Sequence, residues 1–280
     1  MTVIATNTAA LRANNASTVA NRNLSTAMER LSTGSRINSA KDDAAGLAIS
    51  SKMTSQIRGM NQAVRNANDG ISFAQTAEGA LNEVTNMLQR IRELAVQSAS
   101  GTYEDSNRTK LNTEVTELKS QITDILAKTE FNGKRIFNSA TTGTTYTAFT
   151  GTAGDISIQV GANAGDSVTI KLGAPADLAA ATAVDTAANA STALGNVDTM
   201  LDAVATTRAS LGASQSRLES VANNLTNNIA NLSDARSRIQ DADFSSESTA
   251  LAKQQILSQA STAMLAQANQ SQQNVLTLIR

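Results

Sequence analysis

Apolar residues recur at alternating spacings of three and four in the last third of the chain, from Leu194 to Ile239. The positions are Leu194, Val197, Leu201, Val204, Arg208, Leu211, Gln215, Leu218, Ala222, Leu225, Ile229, Leu232, Arg236 and Ile239. This spacing places one narrow stripe along a helix of about six heptads, as in a coiled-coil seam. An ordinary core helix rarely exceeds ~20 residues without a break, so the pattern predicts a long helix packed against a partner.

A second stripe in the first half of the chain predicts that partner. It begins at Met53, shifts phase once and ends at Ala95, before a break at Ser100-Gly101-Thr102. A shorter third helix is predicted to begin at an N-cap on Ser106 and to end at an Asn132-Gly133 turn. The predicted seam between the two halves of the chain comprises Met53, Ile57, Val64, Leu81, Leu88, Leu201, Leu211, Leu218, Leu225 and Leu232.

The middle of the chain has a different character. Residues 141–154 are rich in Thr and Gly, whereas residues 155–160 and 166–172 alternate apolar and polar side chains. The alternation predicts a β-hairpin at 155–172. The Ala-rich stretch from Ala174 to Asn189 fits either a loop or a short helix. The predicted fold is therefore mainly α: a long antiparallel coiled-coil bundle of N- and C-terminal halves, with a small β-hairpin in the middle.

The two ends of the chain carry few charges. Two arginines are the only charged side chains among residues 1–28, and one lysine and one arginine are the only ones among residues 248–280. Each end retains a stripe: Ala10, Ala13, Ser17, Ala20, Leu24, Ala27 and Leu31 at one, Leu257, Ala260, Met264, Ala268, Ser271, Val275 and Leu278 at the other. Such segments bury too little apolar area to fold well alone. The pattern favours segments that other chains cover; an intramolecular helical hairpin is the alternative.

The amino-acid composition argues against an enzyme. The chain has no histidine and no cysteine, which removes the commonest general base, the commonest metal ligands and every thiol nucleophile. Aromatic residues are 2% of the chain, so the core must consist of aliphatic side chains. The 24 acidic residues leave an enzyme that uses carboxylates alone as the alternative, but we expect no catalytic residue, no metal and no cofactor. The net charge of -1 argues against nucleic acid as a partner. No apolar run approaches the ~20 residues that span a membrane.

The first residues of the chain, Met1 to Asn7, have neither the basic nor the apolar region of a secretory signal. Taken alone, this predicts a cytoplasmic protein. The lack of cysteine makes the fold indifferent to the redox compartment, so a location outside the cell is equally compatible with it.

Both ends of the chain carry a recognisable signature. Residues 24–49 closely resemble the N-terminal signature of bacterial flagellin; they read LSTAMERLSTGSRINSAKDDAAGLAI. Residues 237–244 (SRIQDADF) and 270–280 (QSQQNVLTLIR) are similar to the C-terminal signatures of that family. The predicted hairpin, at residues 159–163, also resembles one in the family's inner domain. Two distant motifs in the family's order make the resemblance specific.

The resemblance implies a structural subunit that self-assembles into the helical flagellar filament used for swimming. Residues 1–44 and 243–280 would form an inner terminal-helix domain, and residues 45–242 an outer helical-bundle domain that contains a short variable region at 139–193. Since the chain lacks the large outer insertions of longer relatives, we expect a smooth, thin filament. The self-assembly residues would be Leu24, Leu31, Leu257, Met264, Val275 and Leu278.

The resemblance also reverses the expected localisation. Flagellins leave the cell through the flagellar type III export channel with an uncleaved N-terminus, so the protein is expected on the extracellular flagellum. The expected partners are further copies of the chain, an export chaperone, the cap and the hook–filament junction proteins. Neither nucleic acid nor a membrane is expected as a partner.

One segment resembles a receptor-binding region. Residues 89–96 (QRIRELAV) are similar to the segment that the vertebrate flagellin-sensing Toll-like receptor contacts in many relatives. Arg90, Leu94 and Glu114 would be the matching contacts. The alternative is that this surface packs neighbouring subunits, or that Arg90 is an exposed helix charge.

Four charged residues have roles that their positions suggest. Asp42 and Asp43 precede a helix predicted to begin near Ala44, where carboxylates complement the positive end of the helix dipole. Arg208 and Arg236 interrupt an apolar stripe. They either pair with carboxylates across the seam or extend to solvent.

Three other classes of protein share part of the pattern. A hook–filament junction protein has helical termini but a more divergent signature. A chemoreceptor-like cytoplasmic hairpin would have charged ends and no β-hairpin. A flagellin with an inserted metalloprotease needs two histidines for its zinc motif. Agreement with the signatures at both ends favours flagellin itself.

Overall fold

The structure is a computed structural model that describes residues 6–137, 155–172 and 183–277, with the backbone alone for 275–277. Its elements, in chain order, are α1 (Thr8–Thr33), α2 (Ala44–Ala99), α3 (Asp105–Lys128), β1 (Glu130–Phe131), β2 (Lys134–Arg135), β3 (Ile156–Gln159), β4 (Ser167–Ile170), α4 (Ala187–Gln240) and α5 (Phe244–Thr277). The predicted fold class is confirmed. No helix in the described ranges is long and apolar enough to cross a membrane.

The chain divides into two compact units. Unit 1 contains the chain up to Ile57 together with the chain from Ala230, and unit 2 contains Arg58–Ile229. The division therefore falls inside α2 and α4. The domains expected from the resemblance meet instead near residues 44 and 243, where α2 begins and α5 begins.

Unit 2 has a core of large aliphatic side chains from α2, α3 and α4. Of the predicted seam residues in this unit, those that are buried are Leu81, Leu88, Leu211, Leu218 and Leu225. Val64 and Leu201 are half-buried. Because burial of one such side chain contributes roughly 1.5–3 kcal/mol, this seam is the main stabilising feature of the unit. In unit 1, Ile57 is buried and Met53 and Leu232 are half-buried.

The hairpin predicted at 155–172 is confirmed. Strands β3 and β4 pair antiparallel, with Ile158 opposite Val168. A Cβ placed on Gly70 of α2 would lie 3.1 Å from Ile158 Cγ1 and 3.1 Å from Leu218 Cδ1. The hairpin therefore packs closely on α2 at Gly70, where a larger side chain would press on Ile158 and Leu218.

A second, two-residue hairpin was not predicted. Asn132 (φ 51°) and Gly133 (φ 73°) both have left-handed backbone and join β1 to β2. The Asn-Gly turn is thus confirmed as a turn, but it follows the end of α3 at Lys128 and belongs to the hairpin. The ring of Phe131 meets that of Phe73 edge-on, with centroids 5.9 Å apart.

Two helix starts differ from the predictions. The N-cap predicted at Ser106 is wrong, because Glu104 occupies that position without a side-chain hydrogen bond. α4 begins at Ala187, where the backbone N–H of Asn189 donates to Thr186 Oγ1 at 3.2 Å. The end of the Ala-rich stretch is therefore helix, and residues 173–182 lie outside the described residues.

The two aspartates before α2 have separate roles. Asp43 Oδ1 accepts a hydrogen bond from the backbone N–H of Gly46 at 2.8 Å, so Asp43 caps the positive end of α2, the end that its carboxylate was expected to complement. Asp42 Oδ2 accepts instead from the N–H groups of Ser39 (2.9 Å) and Asn38 (3.1 Å) and closes the preceding turn. These bonds, that from Ser39 foremost, hold the pKa of the Asp42 carboxyl below its ordinary value.

The two arginines within the apolar stripe also differ. In unit 2, Arg208 Nη2 lies 3.9 Å from Glu78 Oε1 across the seam. Of the two predicted alternatives, Arg208 therefore follows the pairing with a carboxylate. In unit 1, Arg236 Nη1 donates to the Thr54 hydroxyl oxygen at 3.3 Å, and the part of the chain that the structure describes shows no carboxylate paired with Arg236.

In unit 1, the segment that follows α1 is hydrogen-bonded to the segment that precedes α5. Gly34 ends α1 with left-handed backbone (φ 68°). Ser35 and Asp241 then form an antiparallel bridge, and the N–H of Arg36 donates to Gln240 O at 2.6 Å. This bridge holds the end of α1 beside the beginning of α5.

Candidate assembly surface

The face of α1 that meets α5 is lined by small side chains. Ala13, Ala20 and Ala27 recur at every seventh position and are buried. The stripe positions between them, all half-buried, are Ala10, Ser17, Leu24 and Leu31. This face matches the stripe predicted for α1. Alanines allow two helices to approach closely, but each contributes only about 0.8 kcal/mol for its methyl group.

Polar contacts set an antiparallel register between α1 and α5. Asn7 Nδ2 donates to Ala268 O at 3.0 Å, and Ser258 Oγ donates to Asn21 Oδ1 at 2.9 Å. Further along α1, Arg30 Nη1 forms an ion pair with Glu247 Oε1 at 3.8 Å. Asn7 has two functions, because its Oδ1 also accepts from the N–H of Ala10 and so caps α1. The start of α1 is therefore tied to the last third of α5.

The stripe predicted for α5 is not the face that meets α1. Among its described side chains only Ala268 is buried, whereas Leu257 is 43% and Met264 55% exposed. The buried and half-buried face of α5 comprises Leu251, Gln254, Ser258, Ser261, Leu265, Ala268 and Gln272. Close approach to the alanines of α1 favours short side chains such as Ser261. The side chain of Val275, and Leu278 altogether, lie outside the described residues.

Seven large apolar side chains of these two helices are exposed. They are Leu11, Val19 and Met28 on α1, and Phe244, Ile256, Leu257 and Met264 on α5. Few charges separate them, since α1 and α5 are the low-charge ends of the sequence. The pair therefore presents apolar surface to its surroundings along both helices.

An open groove of about 610 Å³ lies between α1 and α5. Ala9 and Ala16 line it from α1, and Met264 and Ala268 line it from α5. Arg12 contributes a charged side chain to the lining. Four of the expected self-assembly residues have described side chains. Leu257 and Met264 are exposed, and Met264 also lines the groove. Leu24 and Leu31 are half-buried within one chain.

The candidate receptor contacts lie in unit 2, and the structure brings only two of them together at the surface. Arg90 Nη2 and Glu114 Oε1 are 2.9 Å apart, and Arg90 Nη1 and Glu93 Oε2 are 3.0 Å apart. Hydrogen bonds to Glu114 and then Glu93 raise the pKa of Arg90. Leu94, in contrast, is 1% exposed and belongs to the core. It is therefore removed from the candidate surface contacts.

Comparison with protein families assigns both ends of the chain. The family model described as the bacterial flagellin N-terminal helical region matches residues 4–142. The model described as the bacterial flagellin C-terminal helical region matches residues 194–279. The matched ranges include α1 to β2 and nearly all of α4 and α5.

Relatives match over almost the whole chain. A flagellin of Halalkalibacterium halodurans is 44% identical over 260 residues, which cover 91% of this chain and 91% of that protein. A flagellin of Xenorhabdus nematophila is 43% identical over an alignment of 322 residues that covers 99% of each chain.

Solved structures give a likeness of fold. A Vibrio parahaemolyticus protein described as flagellar hook-associated has a TM-score of 0.57 at 15% identity, over 71% of this chain and 100% of that one. The Bacillus cereus flagellin crystal structure has a TM-score of 0.49 at 30% identity, over 57% of this chain and 88% of that one. At 15% identity the first likeness concerns the fold alone.

Proposed function

The chain belongs to the bacterial flagellin family, and we propose that copies of it join through the exposed sides of the paired helices α1 and α5. The protein is a subunit of the flagellar filament, and self-assembly and swimming motility follow from the family. Its role is structural, and we infer that it has no catalytic activity. Its principal partner is another copy of itself, in a filament outside the cell.

The distribution of exposed apolar side chains carries the proposal about the surface. Among the described residues, eight of the ten exposed large hydrophobic side chains lie in unit 1, and seven of those eight are on α1 or α5. Exposed apolar side chains concentrated in one region mark an interaction site. Covering them with a neighbouring copy removes this surface from water.

The weakness of the pairing within one chain supports the same proposal. The buried hydrophobic residues of α1 and α5 in the described part of the chain are the alanines Ala13, Ala20, Ala27 and Ala268. Full burial of one Leu, Ile or Met contributes roughly 1.5–3 kcal/mol, more than any of these alanines. Contact with neighbours therefore contributes more apolar burial to these helices than their contact with each other.

We assign assembly to the inner domain expected at residues 1–44 and 243–280, and the stability of the subunit to residues 45–242. The limits of α1 and α5 agree with this division, because α1 ends at Thr33 and α5 begins at Phe244. With only a short variable region at 139–193, a smooth, thin filament is the expected product.

Truncation tests this assignment. Removal of residues 251–280 deletes most of α5, so seeded monomer is expected to stay unpolymerised in electron micrographs while circular dichroism shows that the remaining helices persist. A matched deletion of residues 141–152, in the variable region, is expected to leave polymerisation intact. Full assembly by the chain that lacks 251–280 would refute the proposal.

Export and accessory partners follow from the family resemblance. We propose passage through the type III channel with an uncleaved N-terminus, aided by a chaperone, and contacts with the cap and hook–filament junction proteins. In a host without its own flagellin, the secreted protein is expected to have the mass of the full chain and to be absent from the medium when the export apparatus is inactive. A shortened N-terminus in the medium would contradict this route.

Receptor recognition is a second candidate function, favoured by the exposed Arg90–Glu114 pair. We propose that this pair forms the contact with the vertebrate receptor. Arg90→Asp is expected to weaken receptor signalling by soluble monomer, whereas Arg65→Asp, the same change at an exposed position elsewhere on α2, is the matched control. Unchanged signalling by Arg90→Asp would show that the contact is elsewhere.

A further inference from the structure

We propose that Ile256 of one copy inserts into the α1–α5 groove of a neighbouring copy, and that this contact repeats along the filament. The inference rests on the proposed function, because it names the two parts of the assembly surface that meet. The occupant of the groove is thus a second copy of this chain.

Ile256 is a projecting apolar side chain on the outside of the helix pair. It is 66% exposed, the highest fraction among the exposed large aliphatic residues that the structure describes. It lies two positions before Ser258, which bonds Asn21 of α1. At about 100° per residue, two positions correspond to about 200° around α5, so Ile256 faces away from α1.

The groove has the chemistry to accept such a side chain. Its volume is about 610 Å³, and its lining is mainly of short side chains with some polar groups: Thr8, Ala9, Arg12, Ala13 and Ala16 from α1, and Gln267, Ala268 and Ser271 beside Met264 from α5. Met264 lines the opposite side, and its unbranched, flexible chain adapts to the shape of an inserted group. An isoleucine that enters the groove exchanges water for apolar contacts on both sides.

The relative positions of Ile256 and the groove determine the kind of polymer. Ile256 precedes Ala268, which lines the groove, by twelve positions, or about 18 Å along α5. The same twelve positions turn about 120° around the helix. Projection and groove are thus different patches on one subunit, related by a rotation and a translation. Contacts between different patches are heterologous, and when the rotation does not close they generate an open helical polymer.

A contact between two identical patches would have another outcome. If the groove of one copy met the groove of another, the interface would be isologous and assembly would stop at a dimer. A chain whose family forms filaments needs the heterologous arrangement. Ile256 and the groove provide both halves of it within α1 and α5.

Cysteine cross-linking tests the contact directly, because the natural chain contains no cysteine. Ala16→Cys places a thiol at the groove, and Ala252→Cys places one on α5 a single turn from Ile256, which stays intact. The two proteins are mixed in equal amounts, polymerised on seeds and oxidised gently. We expect disulfide-linked dimers that contain one protein of each kind. Filaments whose dimers link Ala16→Cys proteins only to each other, or that yield no mixed dimers, would overturn the proposal.

Substitutions measure the strength of the contact. Ile256→Ser is expected to raise the critical monomer concentration at least tenfold, and Ala16→Leu, which fills the groove, is expected to have a similar effect. Gln255→Ser and Asn15→Leu are the matched controls, since each lies beside the changed position, and both should leave the concentration within about twofold. Circular dichroism checks that every variant keeps its helices.

The outcomes separate this inference from the proposed function. If removal of residues 251–280 abolishes assembly but Ile256→Ser and Ala16→Leu do not change it, the terminal helices assemble through other residues and only the Ile256 contact is wrong. If the truncated chain assembles fully, the proposed surface itself is wrong.

Discussion

Unit 1 and unit 2 are built from the same kind of long helix but use their side chains in opposite ways. Of the 36 buried hydrophobic residues that the structure describes, 30 lie in unit 2, among them Leu81, Leu88 and Leu211. Unit 1 contains the other six, and four of these are alanines. Eight large apolar side chains of unit 1 are exposed, against two in unit 2, among the residues that the structure describes. A stable subunit needs the first arrangement, and a subunit that must be covered by its neighbours needs the second.

Charged residues show the same difference. In unit 2, surface ion pairs join separate helices: Arg90 Nη2 lies 2.9 Å from Glu114 Oε1, and Arg92 Nε lies 2.7 Å from Asp198 Oδ1. In unit 1 the longer Arg30–Glu247 pair, at 3.8 Å, joins α1 and α5, and these helices otherwise have few charges to present to water. Unit 2 thus combines a large apolar core with a charged surface, whereas the terminal helices of unit 1 combine little apolar burial with a surface that is poor in charge.

The largest expected effect compares a leucine from each unit. Leu211→Ala removes a side chain that is 0% exposed in unit 2, so the free energy of unfolding of the monomer should fall by about 2–5 kcal/mol in a denaturant titration. Leu257→Ala, which removes a side chain that is 43% exposed in unit 1, should change it by less than about 0.5 kcal/mol. Equal losses from the two variants would show that the terminal helices stabilise the monomer as much as the bundle does.

Two glycines of α2 in unit 2 provide a matched pair. Gly70→Ala places a methyl group 3.1 Å from Ile158 and Leu218, and the overpacking of about 1–3 kcal/mol outweighs the gain in helix propensity. A Cβ on Gly79 would meet nothing within 4 Å, so Gly79→Ala should raise the free energy of unfolding by about 0.5–1 kcal/mol. Urea titration of both monomers measures these opposite signs. Stabilisation by Gly70→Ala would contradict the expected overpacking and would mean that Ile158 and Leu218 move aside at little cost.

A smaller effect concerns the start of α2 in unit 1. Asp43→Ala removes the acceptor for the N–H of Gly46, which should cost about 1 kcal/mol of local stability. Hydrogen exchange of the Gly46 amide should then accelerate about fivefold. Lys41→Ala, an exposed change two residues earlier, is the control and should leave that amide unchanged.

The smallest effect is the pH dependence of the Asp42 turn. The folded state holds the pKa of Asp42 below its unfolded value, so the carboxylate stabilises the turn above that value and loses this effect as the pH falls through the folded pKa. Exchange of the Asn38 and Ser39 amides should accelerate below about pH 4, relative to amides in unit 2. Asp42→Asn should remove this pH dependence; if it persists there, another group is responsible.

Most of unit 2 could be predicted from sequence because its stripe positions are large and its flanks are charged. Leu211 and Leu218 stand out against polar neighbours, so the period of the helix gives the correct buried face. Asn132-Gly133 also indicated a turn from sequence, because few other residues adopt the left-handed backbone that such a turn needs. Contrast between neighbouring residues made these predictions reliable.

The phase of α5 could not be predicted in this way. The face that meets α1 includes Ser258 and Ser261, while Leu257 and Met264 are exposed. Hydrophobicity alone therefore does not indicate the side of α5 that contacts α1. Side-chain size, set by the close approach of α1, decides which residues are covered. The alanines at every seventh position of α1 were the signal that small residues on α5 should be sought opposite them.

Local contacts explain the other differences. Arg108, buried in unit 2, donates from Nη2 to the carbonyls of Ser100 and Tyr103 at 2.9 and 3.0 Å, so the turn before α3 is held without a cap from Ser106. Leu94 lies in a segment that resembles a receptor-binding motif, but it is on the face of α2 that packs into the core. A motif identifies the segment, and the helix phase decides which of its residues reach the surface.

Hydrogen exchange on monomer and filament tests the central claim most directly, that unit 2 stabilises the subunit while α1 and α5 depend on neighbouring copies. Amides of α3 and of α2 beyond Arg58 should exchange slowly in both states. Amides of α1 and α5 should exchange quickly in the monomer and become protected at least a hundredfold in the filament. If α1 and α5 are as well protected in the monomer as unit 2, or gain no protection on assembly, the account is contradicted.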